Sequence, residues 1–156
     1  MSEENQQFAI QKIYLKDVSF ESPNSPQAFT EGDWQPKINV QINSSNSVIA
    51  QDTYEVVLDI TVTADQNEKT AFLAEVKQAG IFTIAGFPEE NLGGMVGAFC
   101  PESLFPYARE AISELISKGG FPPLYLAPVN FNALYTQQLQ QKQAAATTET
   151  EQEVAH

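Results

Sequence analysis

Apolar and polar side chains alternate with period two along several stretches of this chain. Between Lys37 and Asn43, Ile38, Val40 and Ile42 fall on one side and Asn39 and Gln41 on the other. From Thr53 to Ala64, Tyr54, Val56, Leu58, Ile60 and Val62 oppose Glu55, Asp59, Thr61 and Thr63. From Thr70 to Lys77, Phe72, Ala74 and Val76 oppose Leu73, Glu75 and Lys77. Between Phe8 and Glu21 the rule is less regular, which predicts a bulge; near its end Val18 and Phe20 oppose Asp17, Ser19 and Glu21. Period two with one polar side marks antiparallel strands that face a core on one side and water on the other. Residues 43–47 and 65–68 are rich in turn formers and are expected to be hairpin loops.

The period changes in the last third of the chain. Leu104, Ala108, Ala111, Ile112 and Leu115 share one helical face, and Ser103 is a candidate cap. Glu114 and Lys118 form an i,i+4 pair in the favourable order. Gly119-Gly120 predicts the stop, because glycine takes the left-handed C′ conformation without a Cβ clash. Pro106 sits in the first turns, or it kinks a helix that begins earlier, near Leu92. Beyond Pro122, Pro123 and Pro128 a second helix opens at Asn130, with Phe131, Leu134, Tyr135 and Leu139 on one face. Strands first and helices last predict an α+β fold. The expectation is a four-stranded antiparallel sheet with one solvated acidic face, followed by two C-terminal helices. Residues 22–36 form a long connector that holds Pro23, Pro26 and Pro36 and carries Phe29 and Trp34. Residues 8–139 read as one domain, with disorder expected for residues 1–7 and for the acidic tail 140–156.

Composition narrows the chemistry. Twenty acidic side chains against eight basic ones leave a net charge of −12, with Arg109 the sole arginine. Nucleic-acid binding needs clustered Lys and Arg and is excluded, whereas basic partners are attracted. No apolar run approaches the roughly 20 residues that cross a bilayer. The N-terminus lacks the basic and apolar regions of a signal peptide. Cys100 has no second cysteine to pair with. Together these predict a cytoplasmic protein with no membrane insertion. The single histidine, His156, ends the chain, so no Ser-His-Asp, Cys-His or zinc arrangement is expected. The Gly93–Gly97 segment lacks the lysine of a phosphate loop and reads as flexible backbone packing near a helix start. The carboxylates alternate along flat strand faces instead of converging on a cleft. No catalytic residue, metal or cofactor is expected. Two surfaces remain: an acidic strand face bearing Asp17, Glu21, Glu55, Asp59 and Glu75 around Leu73, and an aromatic set made of Phe29, Trp34, Phe131, Leu134 and Tyr135.

Several words of sequence add to this reading. They are KDVSFESPNSP (16–26), DWQP (33–36), YEVVL (54–58), TAFLAEVKQAGIFTIAGF (70–87), GAFCPESLFPYARE (97–110) and FPPLYLAPVNFNALY (121–135). In this order, across 8–139, the chain resembles the SecB family of bacterial export chaperones. Phe99 stands where that family often has tyrosine, and the tail after Gln143 matches no motif. The resemblance implies an ATP-independent chaperone that holds unfolded preproteins in an export-competent state and delivers them to the motor ATPase SecA. It places Asp17, Glu21, Leu73 and Glu75 on the SecA-binding face. It makes Phe29, Trp34, Phe131, Leu134 and Tyr135 the lining of a groove for unfolded precursor segments. It also implies a homotetramer, a dimer of dimers, for which Leu104, Ala108, Ala111 and Leu115 offer a seam. The alternative is a SecB-like chaperone or adaptor dedicated to a single client outside general export.

Overall fold

The computed structural model of the chain describes residues 5–154, with side chains over residues 5–146. Strands β1 (Gln7–Glu21), β2 (Lys37–Ala50), β3 (Thr53–Gln66) and β4 (Lys69–Ala85) form one antiparallel sheet in the order β1-β4-β3-β2. The alternation read from the sequence is the alternation of the sheet. Val56, Leu58, Ile60 and Val62 on β3, and Phe72, Ala74, Val76 and Phe82 on β4, are buried on one face. The irregular first strand carries register shifts between Ile10 and Lys12 and between Leu15 and Asp17.

Strand β2 corrects one expectation. Residues 43–47 form no loop: Ser45 pairs with Val57, Ser47 pairs with Glu55, and the strand runs on to Ala50. Serine and asparagine carry only local turn preferences, which the ladder to a central strand overrides. The turn falls instead at Gln51-Asp52, where Asp52 adopts φ 54°. Asn67 and Glu68, inside the second expected loop, also have positive φ. Gln7 already belongs to β1, so the N-terminal expectation fails at that residue, while residues 1–4 lie outside the described part.

The helical path begins before Ser103. Helix α1 (Glu89–Gly94) leads through a π-helical turn (Met95–Phe99) into α2 (Cys100–Lys118), which contains Pro106. Ser103 therefore does not cap; its hydroxyl donates back to the Phe99 carbonyl at 3.0 Å. Helix α3 (Phe131–Val154) opens where expected, with Asn130 Oδ1 accepting the Ala133 N–H at 3.0 Å. Its backbone continues through Val154, where the sequence reading placed a disordered tail from Gln140. Gln, Ala and Glu are good helix formers, which is the local reason. From Leu139 to Ala146 every side chain is exposed, so packing adds little there.

Helix α2 lies over the two central strands. Leu104, Ala108, Ile112 and Ile116 are wholly buried against them. One helix cannot cover four strands. Several helix-side apolar residues of the edge strands stay exposed: Ile10 (46%) and Val18 (39%) on β1, and Val40 (39%) and Val48 (69%) on β2.

Candidate functional site

The aromatic half of the site is built by the end of α2. Gly120 takes φ 89°, the Gly120 N–H donates to the Ser117 carbonyl, and the Phe121 N–H donates to the Ile116 carbonyl. This Schellman ending turns the residue after the glycine back onto the structure, so Phe121 is 4% exposed. Its ring centroid lies 4.9 Å from Phe29, 5.3 Å from Trp34 and 5.0 Å from Phe72. Phe20 adds a further contact to Phe72 at 5.9 Å. The 22–36 connector thus lies over the end of α2 and encloses a cleft of about 160 Å³ lined by Phe29, Trp34, Phe121, Pro122 and Gln66. Phe29 is half exposed at its rim.

The other three aromatic-set residues sit away from this cleft. Phe131 is buried edge-on against Phe105, at 5.6 Å. Leu134 is half-buried against the core. The Tyr135 ring fills a notch left by Gly93 and Gly97; a Cβ at Gly93 would come within 2.7 Å of its hydroxyl. This is the packing use of the glycine segment. Tyr135 also borders a slot of about 270 Å³ between α3 and Ser44, Ser45 and Asn46 of β2. Of the five residues expected in one groove, Phe29 and Trp34 line the first cleft and Tyr135 borders the second, while Phe131 and Leu134 pack against the core.

The acidic half is the sheet face turned away from α2. In the register, Lys77 lies between Asp17 and Asp59, Glu75 between Ser19 and Thr61, and Leu73 between Glu21 and Thr63. Cross-strand partners share a face, so Asp17, Glu21, Leu73 and Glu75 form one patch. Thr61 donates to Glu75 at 3.0 Å. Glu55 accepts from Lys16 Nζ at 2.8 Å and from the Tyr14 hydroxyl. These two donors, Lys16 first, hold the Glu55 carboxyl below its ordinary range. Burial, with the hydrogen bond to Glu55 second, pushes the Tyr14 phenol up to about 12. Asp59 has a buried Oδ1 with no hydrogen-bond partner among the described residues. Burial, and next the charge of Glu75, raises its pKa.

With this geometry in view, the comparisons with known proteins are decisive. Residues 1–142 match the family model described as preprotein translocase subunit SecB. The chain belongs to the SecB family. It is 57% identical over 151 residues to the protein-export protein SecB of Nitrosococcus oceani, covering 95% of this chain and 92% of that protein. It is 55% identical to the protein-export protein SecB of Methylococcus capsulatus, covering 96% and 99%. A SecB-like chaperone from Mycobacterium tuberculosis, solved in complex with a ChAD peptide from an antitoxin, shares the fold. Its TM-score is 0.65 at 16% identity, over 78% of this chain and 90% of that one.

Two results bear on the residues expected of a SecB-family chain. The seam of Leu104, Ala108, Ala111 and Leu115 is spent within this chain. Leu104 and Ala108 are 0% exposed and Ala111 is 9% exposed beneath the chain's own sheet, while Leu115 is half-buried. A lone helix covering two strands spends most of its apolar stripe to do so, which leaves Leu104, Ala108 and Ala111 no free surface for a second chain. Phe121, at the centre of the aromatic cluster, was not among the expected site residues. Its signal was present, because a residue two past the cap of a Gly-terminated helix commonly makes the closing apolar contact. Cys100 is buried, and burial lifts its thiol to about 12, the state of an inert packing residue.

Proposed function

We propose that this SecB-family chain is an ATP-independent chaperone that holds unfolded preproteins in an export-competent state and delivers them to SecA. The observation that carries the reading is the Phe29–Trp34–Phe121 cleft, an apolar site on the surface beside a proline-stiffened connector. Apolar burial is non-directional, so such a site takes many sequences. The relatives' name, protein-export protein SecB, supports the same role. So does the peptide bound to the M. tuberculosis protein of like fold. The place of action is the cytoplasm, where precursors are held before export. No described helix is long and apolar enough to cross a membrane. SecA meets the patch of Asp17, Glu21, Leu73 and Glu75, with basic groups of the partner drawn by the carboxylates. The particle is a homotetramer, a dimer of dimers, in which other copies cover apolar surface exposed on the edge strands.

Trp34 is the only tryptophan, so its fluorescence reports the cleft. Adding an unfolded precursor should shift its emission, and the folded form of that precursor should leave it unchanged. Trp34→Ala should weaken precursor binding by about 1–3 kcal/mol, the loss of one aromatic anchor, and leave SecA binding intact. Emission indifferent to unfolded precursors, together with full holding activity in Trp34→Ala, would overturn the assignment.

A further inference from the structure

One wall of the aromatic cleft belongs to neither the sheet nor a helix. The connector makes a short 3-10 turn at Gln27–Phe29, closed by the Thr30 N–H on the Gln27 carbonyl at 3.0 Å. Residues 31–35, which carry Trp34, follow with no regular structure. Gln66, the last residue of β3, reaches across to them. Its Nε2 donates to the Glu31 carbonyl at 3.4 Å, and its Oε1 accepts the Gln35 N–H at 2.8 Å. The two bonds bracket Gly32, Asp33 and Trp34. Among the described residues no other side chain hydrogen-bonds the main chain from 31 to 35. An ion pair of Lys69 with Glu31 at 3.9 Å joins exposed groups and adds little. Gln66, with Ala28, borders both the aromatic cleft and a neighbouring cavity of about 150 Å³ that Asn24, Gln27, Glu31 and Lys69 help line. A glutamine amide offers a donor and an acceptor on separate atoms of one uncharged tip, which suits it to two main-chain groups four residues apart.

We propose that Gln66 is a positioning residue of the client cleft. Its amide clamps Glu31 and Gln35 and so sets the Trp34 ring over Phe121 before a client arrives. The inference rests on the reading of this cleft as the client site. Ordering a loop in advance removes that cost from the binding step, so the clamp acts on affinity without touching the client.

Two substitutions test it. Gln66→Met keeps the length and loses both hydrogen bonds. Gln66→Glu keeps the acceptor and loses the donor until the carboxyl is protonated. In free Gln66→Met, Trp34 emission should move to the red and amide exchange at residues 30–36 should quicken, with exchange in β3 and β4 unchanged. Binding of an unfolded precursor should weaken roughly tenfold, the factor that about 1.4 kcal/mol represents. Gln66→Glu, which keeps the bond from the Gln35 N–H, should lie between wild type and Gln66→Met at about pH 8 and return toward wild-type emission near about pH 4, where a carboxyl regains its proton. Gln66→Met should show no such return. Wild-type emission in free Gln66→Met, or wild-type precursor affinity in that variant, would overturn the clamp. Failure of the wild-type protein to bind unfolded precursors would overturn the proposed function instead. The emission and exchange of the free variants would still decide whether Gln66 holds the loop.

Discussion

Glu55 accepts one donor from Lys16 and another from Tyr14, both on the edge strand β1, across the intervening β4. This ties the edge of the acidic face to its centre and gives the face a defined response to pH. Tyr14 has its folded pKa raised, to about 12 from 10.0. Its contribution to stability is therefore complete below about pH 10 and lost as pH rises toward 12. Glu55 has its folded pKa lowered. Its contribution is present above the ordinary carboxylate range and lost as acid protonates it. Urea midpoints measured from about pH 9 to 12 should fall more steeply for the wild type than for Tyr14→Phe, which has no phenol to ionise at that position. Parallel curves would show that the Tyr14 hydroxyl does not couple to folding. Tyr14 was not singled out in the sequence, because its partner lies 41 positions away and only the sheet order brings them together.

At the scale of elements, α3 hangs on little more than its first turn. Phe131 is buried, Leu134 and Tyr135 are half-buried, and the stretch from Leu139 to Ala146 is exposed. The Tyr135 seat depends on glycine at 93 and 97, whereas a Cβ at Gly94 would meet nothing within 4 Å. The three positions therefore separate backbone entropy from packing. Gly94→Ala should raise stability by about 0.5–1 kcal/mol, the usual gain of alanine over glycine within a helix. Gly97→Ala should force Tyr135 out at an overpacking cost of about 1–3 kcal/mol and speed amide exchange along residues 131–146. Equal effects of the two substitutions would remove the notch as the anchor of α3. The segment 93–97 read from sequence as packing backbone, which is its use here. What it packs against was not legible, since the partner ring arrives from a later helix.

The whole molecule leaves apolar surface at both edges of its sheet and an acidic field on the face opposite the helices. The proposed tetramer uses the first and the proposed SecA contact uses the second. Light scattering at micromolar concentration should give about four chains per particle, the closed dimer of dimers. A stable monomer would overturn that assembly. Ala111→Arg tests the corrected role of α2. It puts a charge beneath the chain's own sheet and should destabilise the subunit itself, not merely divide the particle. Glu75→Lys should slow association with SecA and keep the fold, since the side chain lies on the open face and its internal bond is the one from Thr61. Added salt should weaken SecA binding to the wild type for the same electrostatic reason. Unchanged SecA affinity of Glu75→Lys at low salt would move the contact to another face.

Local rules were enough to make much of this protein legible. Alternation located part of every strand and, through parity alone, put Asp17, Glu21, Leu73 and Glu75 on the solvent side, because the side-chain period of a strand is two whatever it pairs with. The glycine pair stopped α2 and Asn130 started α3, because both are backbone effects of single residues. The order of words across 8–139 carried the family. Tertiary structure decided what depends on distant partners. It extended β2 through a serine-rich stretch, because β3 supplied the ladder. It divided the aromatic set, because Trp34 follows the connector to Phe121 while Tyr135 follows α3 to Gly93 and Gly97. It also turned the α2 stripe inward. Helical spacing says only that Leu104, Ala108 and Ala111 share a face; whether that face meets its own sheet or another chain depends on how much sheet must be covered.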